Sequence, residues 1–113
     1  MENLSKSNQN LIDAYNKGYR IVNGLIHYNG KITSPKIVDN NGYYVIGVRD
    51  SNNKRYNIYI HRLVGYQKYG EMIFNKQLQV RHLNGNNKDN LEDNIAIGTP
   101  QDNAMDIPSK VRK

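Results

Sequence analysis

Apolar and polar positions change period several times along this chain. Over residues 4–17, Leu11, Ile12 and Tyr15 recur at helical spacing. Ser5 or Ser7 suits the N-cap and Gly18 the stop, so a short amphipathic helix is predicted. Two β-prone pieces follow at 19–22 and 25–28, the second ended by Asn29-Gly30, and together they predict a hairpin. Alternation is cleanest between 42 and 60. Tyr44, Ile46 and Val48 face one way, Asp50-Ser51-Asn52-Asn53 turns the chain, and Tyr56, Ile58 and Ile60 return the matching face. The opposite face carries Arg49, Arg55, Asn57 and Tyr59. Helical period returns over 61–70, with Leu63, Val64 and Tyr66 or Tyr69 inward and Gly70 as the stop. Residues 71–77 read as a connecting loop.

The stretch 78–106 is patterned differently. Leu78, Val80, His82 and Leu83 make a short β-prone run, and Asn84-Gly85-Asn86-Asn87 then turns the chain. Asn94 stands just before a second apolar run, Ile95-Ala96-Ile97, which Gly98 ends. Thr99 as N-cap, Pro100 at the first helical position and Asp102 in the first turn predict a helix that carries Asn103. The unit reads strand, loop, strand, helix, with a polar group on each piece: His82, Asn94 and Asn103. The expected fold class is α+β, a small antiparallel β-sheet region followed by a helix and a ββα unit. A chain of 113 residues is one domain by length. Within it, 1–41 form an N-terminal helix and β extension, 42–106 the core, and 107–113 a basic tail.

Composition narrows the partners. Sixteen Lys and Arg against ten Asp and Glu give a net charge of +6, which favours a polyanion. Hydrophobic content is only 37%, and nine Tyr with one Phe supply the aromatics, so tyrosines whose hydroxyls need partners must build part of the interior. The absence of cysteine excludes disulfides and thiolate zinc sites. No apolar run approaches the roughly 18 residues of a membrane span, so no membrane association and a cytoplasmic location are expected.

Four blocks, I-H-R-L-V (60–64), R-H-L-N-G-N (81–86), D-N-L-E-D-N (89–94) and G-T-P-Q-D-N (98–103), together resemble the HNH homing endonucleases. They are most similar to the H-N-N subclass with a ββα-metal (His-Me) finger, common among phage and intron-encoded genes; a host-cell cytoplasm is the location this implies. The resemblance covers roughly 42–106. It implies that His82 is the general base, that Asn94 braces the loop behind it, and that Asn103 ligates a divalent metal, Mg²⁺ with Mn²⁺ as the alternative. In some members the residue before the histidine is an aspartate that also binds metal. Here it is Arg81, which removes one ligand and leaves a cation beside the base.

The residue types suit that chemistry independently. Phosphodiester hydrolysis needs a base that titrates near neutrality, and histidine does. A Mg²⁺-type ion neutralises the phosphate through oxygen ligands and keeps several waters, so an Asn carbonyl with phosphate oxygens is a workable set. Arg81 offers a second positive group to the phosphate. Arg49, Arg55, Arg62 and Lys88 are the expected contacts to double-stranded DNA, His61 suits packing at a helix start, and His27 stands alone. So small a chain implies limited recognition, hence a homodimer or a larger phage or host partner. A competing class is a catalytically silent finger that binds DNA as a regulator or inhibits a host protein, and a third is an accessory to a larger phage machine.

Overall fold

Ser5 opens the first helix by accepting the Asn8 N–H on its Oγ at 3.2 Å, and Gly18 closes it in the left-handed conformation with φ +106°. This is α1, Lys6–Lys17, in a computed structural model that describes residues 4–99. Its buried face, Leu11 and Ala14, turns toward the core, and Tyr56 ties it to the neighbouring sheet by donating its hydroxyl to Asp13.

Strands β1 (Arg20–Val22), β2 (Leu25–Tyr28) and β3 (Lys31–Thr33) form an antiparallel meander in that order. Both of its turns are Asn-Gly pairs with two positive φ angles, Asn23-Gly24 at +53° and +78° and Asn29-Gly30 at +54° and +78°. That conformation matches strand twist and is costly for most other residues. A second antiparallel sheet holds β4 (Ile37–Val38), β5 (Tyr44–Arg49) and β6 (Arg55–Tyr59), again in chain order. Ile46 faces Ile58 and Val48 faces Tyr56, as the alternation predicts. The β5–β6 turn is held by Asp50, whose Oδ1 accepts the N–H groups of Asn52 and Lys54.

Helix α2 (Ile60–Tyr69) leaves β6 without a linker and is the centre of the core, with Ile60, Leu63 and Val64 fully buried. One cluster of buried apolar side chains joins it to Leu11, Ile21, Ile46, Val48, Ile58, Ile73 and Ile95. Strands β7 (Gln79–His82) and β8 (Ile95–Gly98) pair antiparallel, and β7 lies so close to α2 that a Cβ on Gly65 would sit 3.0 Å from Val80 Cγ2. Two neighbouring side chains of α2 reach in different directions. Gln67 accepts the Ile21 N–H at 2.7 Å and donates to the Ile21 carbonyl at 2.8 Å, extending β1 as a strand would. Lys68 Nζ donates to the carbonyls of Glu92 and Ile95 at 2.6 Å each.

The α+β architecture is the expected one, with corrections in detail. The single hairpin expected near 19–36 is a three-stranded meander, and β4 adds a short edge to the second sheet. Residues 70–74 form a 3₁₀ helix that drops Ile73 into the core, where a plain connecting loop was expected. The far face of β5–β6 is not wholly polar, because Val45 is buried on it. The helix expected from Pro100, with Asn103 and the basic tail, lies outside the described residues.

Candidate active site

His82 ends β7, paired across the ladder with Ile95, and only 6% of it is exposed. Its Nε2 lies 2.8 Å from the Oδ1 of Asn90, itself 4% exposed. An amide carbonyl oxygen only accepts, so this contact makes Nε2 the N–H of the ring and leaves the lone pair on Nδ1. Burial holds the His82 pKa below the usual histidine range; the Asn90 bond and the charge of Asp89 oppose that in part. The ring is therefore neutral at physiological pH, the state a general base requires.

The loop from Leu83 to Asn94 is closed by amides. The Leu83 N–H donates to the Asn94 carbonyl at 2.8 Å. The buried Asn94 side chain then accepts the Asn84 N–H at 2.9 Å and donates to Asn84 Oδ1 at 3.0 Å and to the Asp89 carbonyl at 2.8 Å. Asp89 in turn accepts from Asn84 Nδ2 at 2.8 Å. Every acceptor and donor of the Asn94 amide that faces the loop is used, so the loop carrying Asn90 is held in one conformation.

Behind His82 sits a second histidine. The ring centroids of His61 and His82 are 5.0 Å apart, and Tyr43 packs on both, 4.9 Å from His61 and 5.9 Å from His82. Tyr59 completes the cluster 5.2 Å from His61 and donates its hydroxyl to Asp39 at 2.7 Å. Burial, then the neighbouring His82 and Arg62, push the His61 pKa down to about 3; Asp39 acts the other way. His61 is thus a neutral ring wedged against the candidate base, closer to the site than its helix-start position suggests. Asn90 is not singled out by the sequence, although it lies in the D-N-L-E-D-N block; only the folded loop reveals which of its asparagines meets the imidazole.

The remaining expected residues are spread over the surface. Arg81 is half-buried on β7 opposite Ala96. Arg62, on the first turn of α2, points its Nη2 toward the Ile73 carbonyl at 3.4 Å. Arg49 and Arg55 face each other across the β5–β6 hairpin, both exposed, with the Arg55 guanidinium lying over Gly47. Lys88 is exposed on the loop after His82. Among the described residues no three His, Cys, Asp or Glu side chains converge as metal ligands, and His82 is surrounded by amides and rings instead. Asn103, the expected ligand, lies outside the described residues. No helix among the described residues is long and apolar enough to cross a membrane.

Comparison with known proteins bears on this geometry. The family profile described as HNH endonuclease matches residues 58–105, from the end of β6 through β8 and beyond. Among solved structures, one of DNA binding and cleavage by the HNH homing endonuclease I-HmuI superposes with a TM-score of 0.57 at 25% sequence identity. The match covers 81% of this chain and 52% of that one, so the chain spans about half the length of the homing endonuclease. No curated protein matches the sequence.

Proposed function

We propose that the chain, which matches the HNH endonuclease profile over residues 58–105, belongs to that family and is a metal-dependent DNA endonuclease in which His82 activates the attacking water. The observation that carries this reading is the buried, neutral His82, with Nε2 fixed by Asn90 and Nδ1 left as acceptor. Water gives a proton to Nδ1 as its oxygen bonds to phosphorus, one P–O ester bond breaks, and the leaving oxygen takes a proton from solvent. Asn94 acts through the loop, keeping Asn90 and hence the ring in place. Arg81, next to the base, supplies positive charge toward the phosphate.

HNH nucleases use a divalent ion, and Asn103 is the residue that would hold it here, together with phosphate oxygens of the substrate. When bound, such an ion supplies Lewis-acid neutralisation of the phosphate. The exposed arginines of the β5–β6 hairpin, Arg49 and Arg55, with Arg62 and Lys88, are assigned to the DNA backbone, in keeping with the net charge of +6.

A second reading, a finger that binds DNA without turnover, draws on Arg81 standing where some members of the family carry a carboxylate. Relaxation of supercoiled plasmid in Mg²⁺ or Mn²⁺ separates the two. Nicking by the wild type that a chelator, His82→Ala and Asn103→Ala each abolish is the expected result. A gel shift without nicking would move the protein to the binding class.

A further inference from the structure

Beyond the base, the molecule has a cavity of about 330 Å³ where the first turns of α1 and α2 meet the segment leading into β7. That size lies within the range of about 300–1,000 Å³ typical of small-ligand pockets. Its wall includes Asn8, His61, Arg62, Phe74, Lys76 and Gln79, and among the described residues no Asp or Glu lines it. The charge that the described residues turn toward the cavity is therefore positive.

Two of these groups bear on what the cavity would take. The Arg62 guanidinium is partly buried, with a 3.4 Å contact to the Ile73 carbonyl, and burial alone lowers its pKa. A desolvated cation without a carboxylate at hand gains from an anion brought beside it. Asn8 Oδ1 is buried and has no hydrogen-bond partner among the described residues. It calls for a donor, and the base or sugar of a nucleotide carries N–H and O–H donors set apart from its phosphate, where inorganic phosphate has only its own P–O–H.

The cavity also adjoins the candidate base. His61 lines it, and the same ring packs 5.0 Å from His82, so one imidazole separates the two spaces. We propose that the cavity is a subsite for one nucleotide of the nucleic-acid strand, its phosphate on Arg62 with Lys76 at the mouth, and a base or sugar donor on the Asn8 carbonyl oxygen. The use of the subsite by DNA rests on the nuclease reading above; the cavity's preference for a nucleotide does not.

The test is a titration of the full isotope-labelled chain with thymidine monophosphate, with inorganic phosphate and with thymidine, followed by NMR. Thymidine monophosphate should shift the Arg62 Nε–H and the Asn8 side-chain amide, with phosphate weaker and thymidine silent. Arg62→Gln should weaken the nucleotide by at least about tenfold, the loss expected for one charge-assisted contact, and Arg62→Lys by less. If Arg62→Gln does not fold, Lys76→Gln at the exposed mouth carries the test. No response at millimolar nucleotide, or a response that these variants leave unchanged, overturns the subsite. Equal binding of phosphate and nucleotide overturns the part assigned to Asn8. Plasmid cleavage with a silent cavity sinks the subsite and spares the nuclease; nucleotide binding by a chain that neither cuts nor shifts DNA does the reverse.

Discussion

His82 and Asn90 are joined by a 2.8 Å hydrogen bond between two buried side chains, and that bond decides which ring nitrogen is free. Asn90→Ala should lower kcat by roughly 10–100-fold, by analogy with the loss of a side chain that orients a metal-ligating histidine, with KM little changed. Asn90→Asp should place a carboxylate on Nε2, raise the His82 pKa and move the acid limb of the pH–rate profile upward. NMR of the imidazole nitrogens reads the tautomer and the pKa directly. An acid limb that stays put in Asn90→Asp would remove Asn90 from this role.

Asn94 is predicted to be a stability residue as much as a site residue. Asn94→Ala strips three side-chain hydrogen bonds and leaves the Asn84 N–H and the Asp89 carbonyl without that partner. Urea unfolding should show a loss of about 2–4 kcal/mol. Cleavage should fall with it, because the loop that carries Asn90 is then free to move. A variant of unchanged stability would contradict the bracing role.

Acid should destabilise the protein through its two buried histidines. Both have folded pKa values below the unfolded value near 6.5, His61 at about 3. The unfolded chain therefore binds more protons below pH 6.5, so stability is complete above that pH and declines as the pH falls toward 3. The slope from His61 should approach roughly 1.4 kcal/mol per pH unit once the unfolded histidine is fully protonated. His61→Phe, which keeps a ring against Tyr43, should flatten the dependence of the urea midpoint between pH 7 and 4.5. An unchanged slope in that variant would assign the acid sensitivity to other groups.

Gly47 offers a test of the arginine face that leaves the core alone. A Cβ at this position would lie 2.3–2.7 Å from the Arg55 guanidinium atoms, the far end of a flexible side chain that can swing away. Gly47→Ala should thus change stability by no more than about 1 kcal/mol, yet displace Arg55. If Arg55 holds a phosphate, Gly47→Ala should weaken DNA binding as Arg55→Ala does and lower the salt dependence by about one ion. Full affinity in both variants would show that this face does not carry the DNA.

Much of this architecture is legible in the residues because period and punctuation are strong where the structure is regular. The β5–β6 register follows from Ile46 opposite Ile58, and α1 from Ser5 and Gly18. The strands that escape are β3 and β4, whose residues are all exposed and so leave no apolar alternation to read. The 3₁₀ helix at 70–74 hides behind Gly70, which reads as a stop. Within the candidate site, His82 and Asn94 are visible from motif and spacing. Asn90 is not, because a run of asparagines looks alike until the loop closes and selects one. His61 is visible as a histidine but not as a neighbour of His82, since that contact depends on how α2 packs against β7.

The paired grips of Gln67 and Lys68 bear on how the chain can be divided. The sequence blocks suggest a free-standing unit that begins near Gly42, and the matched family segment one that begins at residue 58. Yet Gln67 spends both ends of its amide on Ile21, and Ile21 is wholly buried beside α2. A fragment trimmed to 42–113 would bare an apolar stripe on the helix that also anchors Glu92 and Ile95 through Lys68. For grafting or minimisation, the smallest transplantable piece should therefore include β1 and α1, and a module cut at the motif boundary should come out sticky and half-melted.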